Sequence, residues 1–261
     1  MNGILGEICT AVLARVEAEE ERLPLSEVRR LALASRSERR SFFSAVKGQS
    51  LKVIAELKKA SPSKGVIDER FDYLAIARDY ELGGASAISC LTEPQYFLGS
   101  DEIFRSVRAS VGLPMLRKDF ILTEYQVWQS ALLSADCILL IMSAVDGAQA
   151  ERLFEVAGTL GMDVLFECRS ESQIEAAQRM GARIIGVNNR NLSDFSVDVG
   201  TAARYRALVD PSNVFVSESG VMSVKAAAAQ RAAGADAILV GEYLMRSPDR
   251  QKTLAELVCI K

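Results

Sequence analysis

The sequence predicts an α/β fold: a TIM-type (β/α)8 barrel with an extra N-terminal helical segment. Three observations carry this reading. Short apolar runs of strand length alternate with longer stretches whose apolar residues recur at intervals of three and four, the pattern of parallel βα units. A weak repeat runs through LGGASAIS (82–89), LLSADCILL (132–140), RMGARIIGV (179–187) and AAGADAILV (232–240). In each copy a small residue closes a helix-like stretch and Ala precedes an apolar run, as expected of a helix C-cap feeding a strand. A period of roughly 50 residues suits two successive βα units, and four such pairs make eight strands. Finally, 261 residues suit one closed barrel of about 250. The expected organisation is a single domain over 1–261, with 1–47 as a helical extension and 48–261 as the barrel proper.

Residues 1–47 are rich in Glu and Arg and hold apolar residues at helical spacing, in ILGEICTAVLARV and LSEVRRLALA. They read as helices packed against the barrel, with a substrate lid as the alternative. The strand runs then follow in order as VIAELKKASPSKG (53–65), AISCLTE (87–93), PMLRKDF (114–120), CILLIM (137–142), VLFECRS (164–170), IIGVNNRNL (184–192), VFVSESG (214–220) and AILVGEYLM (237–245). Between them, RFDYLAIARDYEL (70–82), SDEIFRSVRAS (100–110), TEYQVWQSALL (123–133), ERLFEVAGTL (151–160) and SVKAAAAQRAA (223–233) carry one apolar face each and read as outer helices. Trp128 falls within such a pattern and reads as packing.

Composition narrows the function. With 49% hydrophobic residues, 25% charged residues and a net charge of -3, the chain offers no basic face for nucleic acid. No apolar run reaches bilayer length, and residues 1–10 lack a charged segment ahead of an apolar one, so a cytoplasmic protein without membrane contact is expected. The five cysteines form no C-x-x-C pair and read as buried reduced thiols. The absence of histidine removes the usual imidazole acid-base group and the commonest metal ligand. Proton transfer must fall to Lys, carboxylate, Tyr or Cys.

Each strand run ends in residues too polar for a core, and parallel βα folds gather such endings at one pole. Lys118 is the only lysine between Lys64 and Lys225. It closes the third run, where it reads either as a proton donor whose pKa burial lowers or as an ion-pair partner of Asp119 or another carboxylate. Glu56 and Lys58 share one side of their strand by alternation, and would point together into the mouth. They read as an ion pair or, with a second lysine near, as a tuned acid. Glu167 ends VLFE and reads as a general base or as a salt-bridge partner of Lys118. Asn188, Glu218 and Ser219 supply hydrogen-bonding groups at later strand ends, and Arg190 joins them on the substrate side. Ser219-Gly220 and Gly241-Glu242, after the seventh and eighth runs, fit a phosphate site, because glycine lets backbone N–H groups approach an anion. Ser61, in SPSKG, could add a hydroxyl. Phe97 and Phe120 lie just past strand ends, where they serve either an aromatic ligand or the core. No G-x-S-x-G elbow is present, which argues against a serine hydrolase.

Taken together, IAELKKASPSKG, YFLGS, LRKDF, LFE, GVNNRNL, VSESG and LVGEYLM resemble the indole-3-glycerol phosphate synthase family of tryptophan biosynthesis, in family order and spacing from about residue 50 to the end. The resemblance implies a TIM barrel that closes the indole ring of 1-(2-carboxyphenylamino)-1-deoxyribulose 5-phosphate, releasing carbon dioxide and water without cofactor or metal. It implies Lys118 as principal general acid and Glu167 as general base. Lys58 would be a second lysine that contacts the substrate carboxylate and acts in dehydration, and Glu56 the carboxylate that orients both. Asn188 would contact a substrate hydroxyl, and Ser219 would stand beside phosphate and hydroxyl groups. A monomer or weak homo-oligomer is expected, with association with other tryptophan-pathway enzymes open. The chain departs from the family pattern at Cys168-Arg169, Ser134 and Tyr243. The rival readings are a Schiff-base aldolase on the same barrel, using Lys118 or Lys58, and a catalytically silent barrel that binds a phosphate metabolite.

Overall fold

A computed structural model describes residues 3–35, 38–191 and 196–261. Eight parallel strands close into a barrel in chain order: β1 (Lys52–Leu57), β2 (Ala87–Leu91), β3 (Met115–Lys118), β4 (Cys137–Ile141), β5 (Asp163–Cys168), β6 (Ile184–Asn188), β7 (Val214–Glu218) and β8 (Ala237–Val240), with β8 pairing back onto β1. All eight expected runs are strands. Each is buried on both faces, as parallel strands inside a helical ring must be. Alternation splits the core into two layers. Val53, Ile88, Met115 and Phe166 face outward to the helices, while Ile54, Leu116, Leu165, Val216 and Leu239 fill the interior.

The outer helices are α4 (Tyr73–Leu82), α5 (Asp101–Ser110), α6 (Glu124–Leu132), α7 (Gly147–Thr159), α8 (Glu171–Arg179), α9 (Gly200–Tyr205), α10 (Val224–Ala232), α11 (Glu242–Met245) and α12 (Arg250–Val258). Most start where a Ser, Thr or Asp side chain accepts a backbone N–H in the first turn, as Asp72, Ser100, Thr123, Asp146, Ser170, Ser223 and Asp249 do. The Asp146 cap explains why α7 begins four residues before the amphipathic run expected at 151–160. Its first turn carries mostly Gly, Ala and Gln, which leave no apolar stripe to read.

The repeat has a conformational cause. Its four closing residues, Gly84, Ser134, Gly181 and Gly234, all lie in the left-handed region, at φ 88°, 61°, 89° and 92°. Ser134 is the one residue of the four with a side chain. Cys259 departs from expectation: it is exposed, whereas Cys9, Cys90, Cys137 and Cys168 are buried, and all five are free thiols.

The amino-terminal segment forms α1 (Ile4–Arg22), α2 (Leu25–Ala34) and a short α3 (Phe42–Val46) that the sequence pattern did not reveal. It reaches both poles of the barrel. At the amino-terminal rim Phe42 and Val46 are fully buried, Phe43 N–H donates to Asp163 Oδ2 at 2.9 Å, and Arg40 N–H donates to Asp136 Oδ1 at 2.8 Å. At the opposite rim, Arg15 on α1 donates to both oxygens of Asp119 at 3.3 Å, one residue beyond β3. Among the described residues no helix is long and apolar enough to cross a membrane.

A left-handed serine costs about 1 kcal/mol that glycine does not, part of which returns as unfolded-chain entropy. Ser134→Gly is therefore expected to raise the unfolding free energy by about 0.5 kcal/mol, read as a higher urea midpoint at unchanged slope. A lower midpoint would contradict this account of the repeat.

Candidate active site

Strand alternation builds the site directly. Two residues past an interior apolar side chain, the same inward face carries Glu56 after Ile54, Lys118 after Leu116, Glu167 after Leu165, Glu218 after Val216 and Gly241 after Leu239. A polar layer thus lies on an apolar floor at the carboxyl ends of the strands. It lines a cavity of about 450 Å³ with Leu91, Leu139 and Ile141 among its apolar walls.

Lys118 is the centre of this layer. Its Nζ donates to Glu218 Oε2 at 2.7 Å and to Glu167 Oε2 at 3.2 Å, and all three side chains are nearly enclosed. Asn188 Nδ2 donates to the other oxygen of Glu167 at 3.1 Å, so that carboxylate is held from both sides. Across the cup, Lys58 Nζ donates to Glu56 Oε2 at 2.5 Å. Lys118 and Lys58 are each held in an ion pair here, as one reading of each had it, but Asp119 is not the partner of Lys118. It instead accepts from Arg15, from Thr92 Oγ1 at 2.7 Å and from the Phe120 N–H at 2.8 Å. The adjacent Arg117 points outward and is fully buried, donating to Thr92, Asp101, Gln126, Gln129 and Ser130.

The electrostatics correct one expectation. Burial works against the Lys118 charge, but the carboxylates of Glu218, Glu167 and Glu56 outweigh it and hold the ammonium above its ordinary value rather than below. The group brought toward neutrality is a carboxyl. Burial, helped by the charge of Glu167 and opposed by Lys118, pushes Glu218 up to about 7. Its Oε1 has no hydrogen-bond partner among the described residues.

Two glycines make room for these pairs. A Cβ on Gly241 would collide with Glu56 Oε2 and lie 2.9 Å from Lys58 Nζ. A Cβ on Gly186, in β6, would collide with Glu218 Oε1. Neither position allows a side chain without moving a charged group.

Around the rim, Ser219 and Gly220 turn with φ of 64° and 84°. Ser61 lies in the short ribbon after β1, in which residues 60–61 pair with 65–66. Lys64 from the same ribbon approaches Glu242 at 3.9 Å. Phe97 and Phe120 face one another with ring centres 6.1 Å apart. All of the residues singled out from the sequence line this one cavity: Glu56, Lys58, Ser61, Phe97, Lys118, Phe120, Glu167, Asn188, Arg190, Glu218, Ser219, Gly220, Gly241 and Glu242. Sequence reasoning missed Val197, Val221 and Met222, whose apolar side chains carry no local signal, and placed Glu218 with the substrate rather than against Lys118. The departures from pattern lie at the margins. Cys168 packs outward into the helix layer, while Arg169 Nη1 donates to the Arg190 carbonyl at 2.7 Å and ties the ends of β5 and β6 together.

Comparison with known proteins gives one answer. A sequence model of the indole-3-glycerol phosphate synthase family matches residues 5–257. An indole-3-glycerol phosphate synthase from Ruminiclostridium cellulolyticum is 44% identical over 257 residues, covering 97% of this chain and 98% of the relative. One from Chlorobium luteolum is 46% identical over 212 residues, covering 80% and 81%. Among solved structures, a thiamine phosphate pyrophosphorylase from Pyrococcus furiosus superposes with a TM-score of 0.60 at 19% identity, covering 79% of this chain and 93% of the other, a likeness of fold alone.

The arrangement around Glu218 is open to direct titration. With 13C-labelled glutamate, one carboxyl resonance is expected to titrate near pH 7. Lys118→Met should move that midpoint upward, because the ammonium opposes the rise. A Glu218 midpoint in the ordinary carboxylate range would refute the dominance of burial, and a downward move in Lys118→Met would refute the pairing.

Proposed function

The chain belongs to the indole-3-glycerol phosphate synthase family, and we propose that it closes the indole ring of 1-(2-carboxyphenylamino)-1-deoxyribulose 5-phosphate with Lys118 and Lys58 as general acids and Glu167 as general base. As a member of that family it is a carboxy-lyase of tryptophan biosynthesis. The observation that carries the assignment of roles is the position of Lys118 Nζ, in contact with two carboxylates in a cavity that the Glu56–Lys58 pair also lines.

The chemistry asks for an acid first. As the ring carbon bearing the carboxylate attacks the ketone, negative charge grows on the ketone oxygen, and an alkoxide is a far stronger base than any carboxylate in the cup. Lys118 donates to it despite being held charged at rest. The ring nitrogen becomes an iminium, and the bond to the carboxylate then breaks, releasing carbon dioxide and sending its electrons to that nitrogen. Dehydration follows. An ammonium protonates the departing hydroxyl as water leaves, and Glu167, oriented by Asn188, takes the proton from the neighbouring carbon. Glu218, which burial pushes up to about 7 and which touches Lys118, would return a proton to it between steps.

The binding groups divide in the same way. Phe97, Phe120, Leu139 and Ile141 offer an apolar wall to the aromatic ring, while Ser219-Gly220 and Gly241-Glu242 form the phosphate cradle. A Schiff-base aldolase would need an uncharged lysine, and the carboxylates around Lys118 favour the opposite state.

Incubation of the purified protein with this substrate, with EDTA present, should generate indole fluorescence, and borohydride should trap no covalent adduct. Lys118→Met should lower kcat by about 10³-fold or more while leaving substrate affinity within a few-fold. Unchanged turnover would remove Lys118 from the mechanism. Gly241→Ala, which must displace Glu56 or Lys58, is expected to lower kcat by about 10²-fold with cooperative unfolding retained.

A further inference from the structure

Behind the Ser219-Gly220 turn lies a buried polar network that the reaction scheme does not use. Its hub is Asn189, the residue after β6, which is only 2% exposed and does not line the cavity. Its Nδ2 donates to the Ser219 carbonyl at 3.1 Å and to Ser217 Oγ at 3.0 Å, and its Oδ1 accepts the Ala202 N–H at 3.0 Å. Its backbone is engaged as well, donating to the Glu218 carbonyl and accepting from Asp198 N–H, each at 2.9 Å. Ser217 Oγ donates onward to Gln230 Oε1 at 2.8 Å, and Gln230 Nε2 donates to the Val199 carbonyl at 3.1 Å. Asn189 therefore joins three pieces of chain: the end of β6, the segment 197–202, and the turn after β7.

That turn needs an anchor. Ser219 sits at φ 64°, a conformation disfavoured for a residue with a side chain. The next residue leaves no slack, because a Cβ on Gly220 would come within 2.9 Å of both Val197 and Val199. The peptide between them is planar and trans, so its two polar ends point in opposite directions. Fixing the Ser219 carbonyl on Asn189 sends the Gly220 N–H away from Asn189.

We propose that Asn189 is a positioning residue for the anion cradle: by holding the Ser219 carbonyl it sets the direction of the backbone N–H groups that receive the substrate phosphate, and it couples that cradle to the segment 197–202. The inference rests on the phosphate assignment of the Ser219-Gly220 turn. Asn189 touches no reacting atom, so its loss should weaken binding and spare the chemistry.

The test compares parent, Asn189→Ala and Gln230→Leu as full-length protein, reading kcat, KM, competitive inhibition by inorganic phosphate, and amide hydrogen exchange of the segment 216–222. For Asn189→Ala, KM and the phosphate inhibition constant should each rise about tenfold, the effect of losing, among the three side-chain hydrogen bonds of Asn189, the one that holds the Ser219 carbonyl, with kcat within about twofold. Exchange at 216–222 should quicken, and phosphate should no longer slow it. Gln230→Leu removes the outer anchor but leaves the Asn189–Ser219 bond, and should shift both constants in the same direction by about threefold. Because Gln230 lies on α10, it also decides the matter if Asn189→Ala does not fold. Variants with the parent's phosphate constant, or with lowered kcat at unchanged KM, would overturn the inference. If phosphate does not inhibit the parent, the cradle assignment falls first and the role of Asn189 with it.

Discussion

One ammonium shared by two carboxylates above an apolar floor is the constraint to which the rest of the molecule answers. A buried charge without partners is costly, and one with partners is tolerable only when its geometry is good and its remaining polar atoms are satisfied. Lys118 and Glu167 meet that condition, Glu218 meets it at one oxygen only, and the three side chains come from three different strands, so the pairs exist only because the barrel closes in register. Asn188 steadies Glu167, and the Arg117–Asp119 pair locks the strand end from which Lys118 projects. The glycines at 186 and 241 leave the space that glutamate side chains of neighbouring strands occupy.

The same constraint decides how much could be read from the chain alone. Strand positions were legible because alternation and burial are local, whereas the Ser, Thr and Asp caps that start the helices went unread, which is why α7 begins ahead of its expected run. Convergence of the polar strand ends followed from the parallel topology, and the functional reading followed from family motifs that a single βα unit does not contain. Glu167 was legible as a partner of Lys118, but the second partner, Glu218, and the direction in which the charge of Lys118 is shifted were not. Spacing along one strand gives the face of a side chain but not its neighbour across the cup, and only the closed ring shows Glu218 rather than Asp119 beside it. The steric duty of Gly186 was hidden for the same reason, since in GVNNR it looks like any glycine near a turn. Asn189 follows Asn188 directly, and the odd-even step of the strand sends Asn188 toward Glu167 and Asn189 behind the turn after β7.

The departures from regular pattern are equally physical. Ser134 occupies a position that its three counterparts give to glycine, and keeps the left-handed turn. Helix α3 is too short to show periodicity, but two of its five residues are fully buried, and the backbone N–H groups of Phe43 within it and of Arg40 just ahead of it bond the aspartates at the starts of β5 and β4.

That last feature bears on how the molecule comes to be made. The acidic groups that receive the amino-terminal segment stand 104 residues after Arg15, 96 after Arg40 and 120 after Phe43. During synthesis the first helices therefore leave the ribosome with their docking sites still unmade, and their apolar faces stay uncovered until β3 to β5 have followed them out. Assembly of the extension is thus a late, long-range event. Until then the apolar faces of those helices stand open to whatever the emerging chain encounters.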